Sequence, residues 1–232
     1  MGTGAFVYEK GMPLRAALFD LDGTLVDSLA DIAAAMNHAL IHHGLPTHPT
    51  SDYRYFVGEG VMHLIRRAAP QGDEALHTEI FTTYRAWYAE HLFDQTTVFP
   101  GIAQMLARLA GEGVQLAVLS NKADGFTKQL VKGLMPDVPF AAVYGERPGM
   151  PRKPDPTAAL ALAGELAVAP GDCAFVGDTS VDMNTARHAG MYGVGVTWGF
   201  RGVDELKAHG AQAIATTAEE LWTALRGPRE AR

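Results

Sequence analysis

Ala16-Ala17-Leu18-Phe19-Asp20-Leu21-Asp22-Gly23-Thr24-Leu25-Val26-Asp27-Ser28 runs from a short apolar segment directly into two carboxylates one residue apart. Parallel strands covered on both faces read as unbroken apolar runs, and open α/β sheets bind ligands beyond the carboxyl ends of their strands. Asp20 and Asp22 fall at that position. Gly23 then permits a tight turn away from the strand. In a continuing strand the two acids would point to opposite faces, so the turn must re-aim one of them if both serve one site. Asp and Gly also dominate ordinary solvated turns, and the four residues alone would read that way. The rest of the chain decides between the two.

Downstream, Leu29, Ile32, Ala33, Met36 and Leu40 recur at helical spacing until Gly44, and Ser28 with Asp31 three residues later reads as a capped start. Residues 61–69 and 73–92 read as two more helices separated by Pro70-Gln71-Gly72, with no buried strand before about Val98. Beyond Phe99-Pro100-Gly101 the pattern changes to alternation. Helices over 102–111, 124–134, 156–167, 181–189, 203–209 and 217–226 are interleaved with short apolar strands at 115–119, 140–143, 173–176, 192–196 and near 213. Such alternation predicts an α/β fold, a doubly wound parallel sheet with right-handed crossovers. The expected organisation is an α/β core made of residues 1–26 and 98–232, with residues 27–97 as a helical domain inserted after the first strand.

Composition narrows the function classes. The chain has 232 residues, 47% hydrophobic and 19% charged, enough for one sizeable core. A formal net charge of −7 argues against nucleic acid or an anionic membrane as partner, since both select basic surfaces. An anionic substrate would therefore need locally concentrated positive charge. The single cysteine, Cys173, excludes an internal disulfide and a multi-cysteine metal site, and opens an apolar strand where packing is its expected role. No run approaches a membrane span, and Glu9, Lys10 and Pro13 occupy the place where a signal peptide needs an apolar core. The expected compartment is the cytoplasm, and the expected state a monomer or homodimer.

Three further polar strings stand at expected strand ends or helix starts on the Asp20 side of the sheet: Ser120-Asn121-Lys122, Lys153-Pro154-Asp155-Pro156, and Gly177-Asp178-Thr179-Ser180-Val181-Asp182. Together with Asp20 to Ser28 they resemble, in order, the four motifs of the haloacid dehalogenase-like phosphotransferases. The resemblance spans nearly the whole chain. It implies that Asp20 attacks phosphorus to form an aspartyl phosphate, and that Asp22 protonates the leaving alcohol and later deprotonates water. It implies Mg2+ as cofactor, with the Asp20 carboxylate, the Asp22 backbone carbonyl and Asp178 as ligands, and Asp182 behind them orienting Asp178 or bound water. Lys153 would neutralise Asp20 and the phosphoryl oxygens, and Ser120 would hydrogen-bond one of those oxygens. Thr24 and Asn121 are grouped with the substrate-binding loop.

Asp22 favours a phosphatase over a dehalogenase, because halide needs no acid and an alkoxide does. The helical insert resembles the mobile cap of the phosphoglycolate phosphatase and β-phosphoglucomutase branch. Phe56 to Ile65, Phe-Val-Gly-Glu-Gly-Val-Met-His-Leu-Ile, is similar to the phosphoglycolate phosphatase cap motif, with Gly58 and Gly60 letting backbone approach the substrate. Val196 to Gly202 is also similar to that branch. The partner this implies is a small phosphorylated metabolite, with 2-phosphoglycolate the leading expectation. Lysine is absent between Lys10 and Lys122, which disfavours imine-forming phosphonatase chemistry. Arg54, Arg66 and Arg67 keep a phosphosugar phosphatase or phosphomutase open, and an inorganic pyrophosphatase remains a further alternative. A noncatalytic phosphate-binding protein is disfavoured because every motif position is filled. His38 and His42 share helical i,i+4 spacing, but without a carboxylate between them they read as a solvated face.

Overall fold

The computed structural model describes residues 14–227; residues 1–13 and 228–232 of the expected core segments lie outside the described part. The chain enters through β1 (Ala16–Phe19) and turns into a two-residue strand, β2 (Val26–Asp27). Four helices follow: α1 (Leu29–His42), α2 (Thr50–Phe56), α3 (Val61–Ala68) and α4 (Glu74–Glu90). The return runs through β3 (Thr97–Val98), paired antiparallel with β2 through Val26–Val98 and Asp27–Thr97. From there helices and strands alternate: α5 (Ile102–Gly111), β4 (Gln115–Ala123), α6 (Asp124–Leu134), β5 (Phe140–Glu146) and α7 (Thr157–Glu165). The last units are β6 (Cys173–Gly177), α8 (Ser180–Ala189), β7 (Tyr192–Val196), α9 (Val203–Ala208), β8 (Ala213–Ala215) and α10 (Ala218–Arg226).

Six strands form one parallel sheet in the order β5-β4-β1-β6-β7-β8. This is the doubly wound α/β sheet expected from the alternation. The period of two along each central strand sorts side chains between two apolar layers. Ala17, Phe19, Leu116, Val118, Ala174 and Val176 enter one layer, while Ala16, Leu18, Ala117, Leu119, Cys173 and Phe175 enter the other. Every side chain of β1 is fully buried, as a strand covered on both faces must be. The first layer continues without a break into the insert, through Ile32, Tyr53, Leu64, Ile80 and Tyr88.

Two local expectations are corrected. Ser28 does not cap α1 with its side chain; its hydroxyl donates instead to Asp22 Oδ1 at 2.5 Å. Asp31, its expected capping partner, accepts from the backbone N–H groups of Gln95 and Thr96, fastening the far end of the insert to its start. The helix α2 has no counterpart in the sequence reading, because its one buried residue, Tyr53, produces no periodic stripe. In β4 the strand runs past Leu119 to Ala123, through an irregular register against β5.

Candidate active site

β1 lies between β4 and β6, so Asp20 and Asp178, each just past its strand, and Ser120, two residues along β4 from the Phe19–Val118 pair, reach one edge of the sheet. Gly23 adopts φ +84°, which only glycine accepts without strain, and its N–H closes the turn onto the Val26 carbonyl at 2.9 Å. The turn re-aims Asp22 so that both acids line one cavity of about 670 Å³ between the sheet edge and the insert.

Lys153 is nearly inaccessible, and its ammonium contacts Asp20 Oδ1 at 2.9 Å and Asp182 Oδ1 at 2.7 Å. Asp182 also accepts from the Thr179 N–H and hydroxyl through Oδ2, closing a capping box at the start of α8. Asp178 accepts from the Thr24 hydroxyl at 2.9 Å and from the Phe200 N–H at 2.7 Å. Oxygens of Asp20, Asp178 and Asp182 lie within 4.8 Å of one another, all buried.

Three buried carboxylates thus cluster beside one ammonium that pairs with two of them, Asp20 and Asp182, and the charge is unbalanced. Burial pushes the Asp20 carboxyl up to about 7, with Asp182 and Asp22 adding to the rise and Lys153 opposing it. Burial, with Asp182 and Asp20 nearby, holds Asp178 well above the usual carboxylate range. Burial alone would push the Lys153 ammonium down, but Asp182 and Asp20 overcome it and keep the charge on. An excess of buried, hard oxygen donors is the setting a divalent cation neutralises, so the donor set fits a metal ion. Each Asp178 oxygen accepts one hydrogen bond and keeps a lone pair for a cation, whereas Asp182 already accepts three hydrogen bonds, one from Lys153 and two from Thr179.

The sequence-predicted residues separate into groups. Asp20, Asp22, Ser120, Asn121, Gly58 and Gly60 line the cavity, while Lys153, Asp178 and Asp182 stand directly behind Asp20. Thr24, placed with the substrate-binding loop and expected to brace it, is fully buried and braces Asp178 rather than facing the cavity. The Asn121 side chain is a tie. Its Oδ1 accepts the Lys153 N–H at 2.9 Å, and its Nδ2 donates to the carbonyls of Lys153 and Gly58, both at 3.0 Å. Gly58 and Gly60 adopt φ of +113° and +90°, and a side chain at Gly60 would run into Arg152 of the core.

Lys122 received no role from the sequence. Its ammonium contacts both Asp22 oxygens, at 3.0 and 3.1 Å, and lies 4.7 Å from the centre of the Tyr88 ring. Its spacing of two residues from Ser120 on a strand was the available signal. Tyr88 and Tyr84 of α4, stacked at 5.4 Å, and Phe126 of α6 line the same cavity and carry no sequence signature beyond that of core aromatics. The three arginines that kept a second phosphate site open are committed elsewhere. Arg54 donates to the carbonyls of Gly199 and Phe200, Arg66 pairs with Glu74 at the surface, and Arg67 pairs with Glu59. His38 and His42 are exposed, with His38 stacked on Trp87, as a solvated face requires. Cys173 is buried in β6. Among the described residues no helix is long and apolar enough to cross a membrane.

The family model for haloacid dehalogenase-like hydrolases matches residues 17–196. A phosphoglycolate phosphatase of Pseudomonas putida (strain KT2440) is 35% identical over 192 residues, covering 80% of this chain and 70% of that protein. A phosphoglycolate phosphatase of Xanthomonas campestris pv. campestris (strain 8004) is 32% identical over 216 residues, covering 93% and 98%. A crystal structure from Lactobacillus delbrueckii subsp. bulgaricus, provisionally named phosphoglycolate phosphatase, superposes with a TM-score of 0.88 at 32% identity, covering 93% of this chain and all of that one. With its Asp20 turn, its buried Lys153 and its Asp178 cluster on one sheet edge, the chain belongs to the haloacid dehalogenase-like hydrolases.

Proposed function

We propose that the chain is a Mg2+-dependent phosphatase that hydrolyses a small organic phosphate through an aspartyl phosphate on Asp20, with 2-phosphoglycolate as leading substrate. The observation that carries the reading is the placement of Asp20 at the cavity floor with Lys153 on its inner side and Asp22 one turn away. A phosphoryl dianion repels a carboxylate, so attack depends on positive charge held in advance. Lys153 supplies part of it. A Mg2+ held by Asp20, the Asp22 carbonyl and Asp178 would supply the rest, as electrostatic neutralisation of the phosphoryl oxygens.

An Asp20 oxygen forms the bond to phosphorus while the ester P–O bond breaks, and Asp22 gives its proton to the departing alkoxide. Asp22 then takes a proton from water, whose oxygen attacks phosphorus and breaks the bond to Asp20, releasing phosphate. The Ser120 hydroxyl, which lies within β4 and lines the cavity, binds a phosphoryl oxygen in this reading. The helical insert, residues 27–97, acts as the lid that excludes water during these steps. The lone Cys173 supports a reducing compartment, the cytoplasm, and the working form is a monomer or homodimer.

Phosphate release from 2-phosphoglycolate with added Mg2+, lost in Asp20→Asn with the fold retained by circular dichroism, is the expected result. Undiminished turnover by that variant overturns the mechanism. A second reading, a larger phosphorylated metabolite, is favoured by the cavity volume, well beyond what a two-carbon acid fills, and by Arg85 and Arg147 at its margin. A panel of phosphate esters ranked by kcat/KM separates the two.

A further inference from the structure

Where the leaving oxygen of a substrate would meet Asp22, the cavity wall holds one ammonium and one idle phenol. Lys122 extends from β4 with only 8% of its side chain exposed, and Asp22 is the acid it pairs with. The other acids along this wall are occupied: Asp124 by Lys128 at 2.7 Å, Glu146 by Arg152 at 3.4 Å. Facing Lys122 from the insert, Tyr88 is 1% exposed, and its hydroxyl is buried with no hydrogen-bond partner. A buried hydroxyl left unpaired is costly, so this donor is available for an acceptor that the protein itself does not provide. The Lys122 ammonium over the Tyr88 ring ties the two into one locus.

We propose that Lys122 and Tyr88 form a carboxylate subsite, and that the substrate class is phosphomonoesters with a carboxylate on the carbon bearing the ester oxygen. The inference rests on the reading of Asp20 and Asp22 as the groups that act on a phosphate ester. The Lys122 ammonium, held over the Tyr88 ring, and the unpaired Tyr88 hydroxyl offer a carboxylate one charged and one neutral donor, and a neutral alcohol would leave the Lys122 charge with less to pair with. The exchange is also balanced in charge. When Asp22 turns to the leaving oxygen, Lys122 is left with an uncompensated charge, and the substrate carboxylate replaces the partner it loses. Lys122 and Tyr88 therefore select the substrate by contact, while Asp20 and Asp22 do the chemistry.

The test compares 2-phosphoglycolate with 2-hydroxyethyl phosphate, which has a hydroxymethyl group in place of the carboxylate, using the full chain with Mg2+. Expected is a wild-type kcat/KM preference for the carboxylate ester of about 100-fold or more, below the roughly 10⁴- to 10⁵-fold rejection of an analogue lacking the polar group altogether, because the hydroxymethyl group still hydrogen-bonds. Lys122→Met should bring the ratio to within about a few-fold of one, Tyr88→Phe should reduce it about 10-fold, and Lys122→Arg should retain most of it. The inference is overturned if wild type shows no preference, or if Lys122→Met lowers both substrates equally. If Lys122→Met does not fold, the ratio in Tyr88→Phe and Lys122→Arg decides by the same criterion. Failure of the underlying reading looks different: neither ester is turned over, or Asp20→Asn hydrolyses both.

Discussion

Arg54 and Arg201 each donate into the backbone of the other's segment. The Arg54 guanidinium of α2 donates to the carbonyls of Gly199 at 3.0 Å and Phe200 at 3.2 Å, while Arg201 donates back to the carbonyls of Arg54 and Val57. The contact docks the insert on the loop after β7, which also supplies the Phe200 N–H to Asp178. One substitution therefore touches both the insert and an acid behind the cavity.

Arg54→Ala is expected to weaken this docking by about 1–3 kcal/mol, the value of two partly buried charge-assisted hydrogen bonds. Hydrogen exchange of residues 54–60 should rise, and kcat/KM should fall about 10-fold or more with the global unfolding transition little changed. Unchanged exchange in that segment contradicts the assignment.

Asp182 pairs with Lys153, and in the proposed mechanism it positions that ammonium rather than touching substrate. Asp182→Asn removes the 2.7 Å ion pair but retains a polar cap, so kcat should fall about 10- to 100-fold with a smaller change in KM. Asp182→Ala also opens the capping box, adding about 0.5–2 kcal/mol of destabilisation readable as a lower denaturation midpoint.

Without metal, stability should decline as pH rises from about 4 toward about 7. Asp20 titrates near 7 in the folded chain and near the ordinary 3.8 when unfolded, so in that window the folded state holds a proton that the unfolded state has released. The unfolding free energy then falls with pH, and the raised Asp178 carboxyl acts in the same direction. Mg2+ should raise the melting temperature strongly at pH 7.5 and little at pH 5. Thermal scans with and without the ion check both halves.

Gly199→Ala should damage the acid cluster without touching an ionisable group. A methyl there would collide with the Asp178 carboxylate and with the Gly23 carbonyl, both fixed by the turn. Displacing Asp178 should raise the Mg2+ concentration needed for half-maximal activity about 10-fold or more, as loss of support around a metal ligand does.

Much of this was legible in the chain because the central strands are covered on both faces. Ala16–Phe19 and Cys173–Gly177 are apolar without interruption, and each ends at an acid or at the residue before one. Helices with wide apolar stripes, such as α5, declared their bounds. What escaped depends on groups that sequence does not distinguish. The Arg54–Arg201 contact is made to backbone carbonyls, which every residue carries. Ser28 looked like a cap because a hydroxyl before a helix normally is one, and only the folded turn offers it Asp22 as a stronger acceptor. Tyr88 looks like a core aromatic until Lys122 and Asp22 are seen beside it.

The three bonds of the Asn121 amide have a consequence for how the protein can change over time. Two fasten the backbone of Lys153 and the third fastens Gly58 at the tip of the insert loop. The steadiness of the ammonium and the fit of the loop are therefore a single heritable trait. A substitution that reshapes the loop to admit a new ester also disturbs the lysine, and a drift in substrate preference must be accompanied by repair at Asn121.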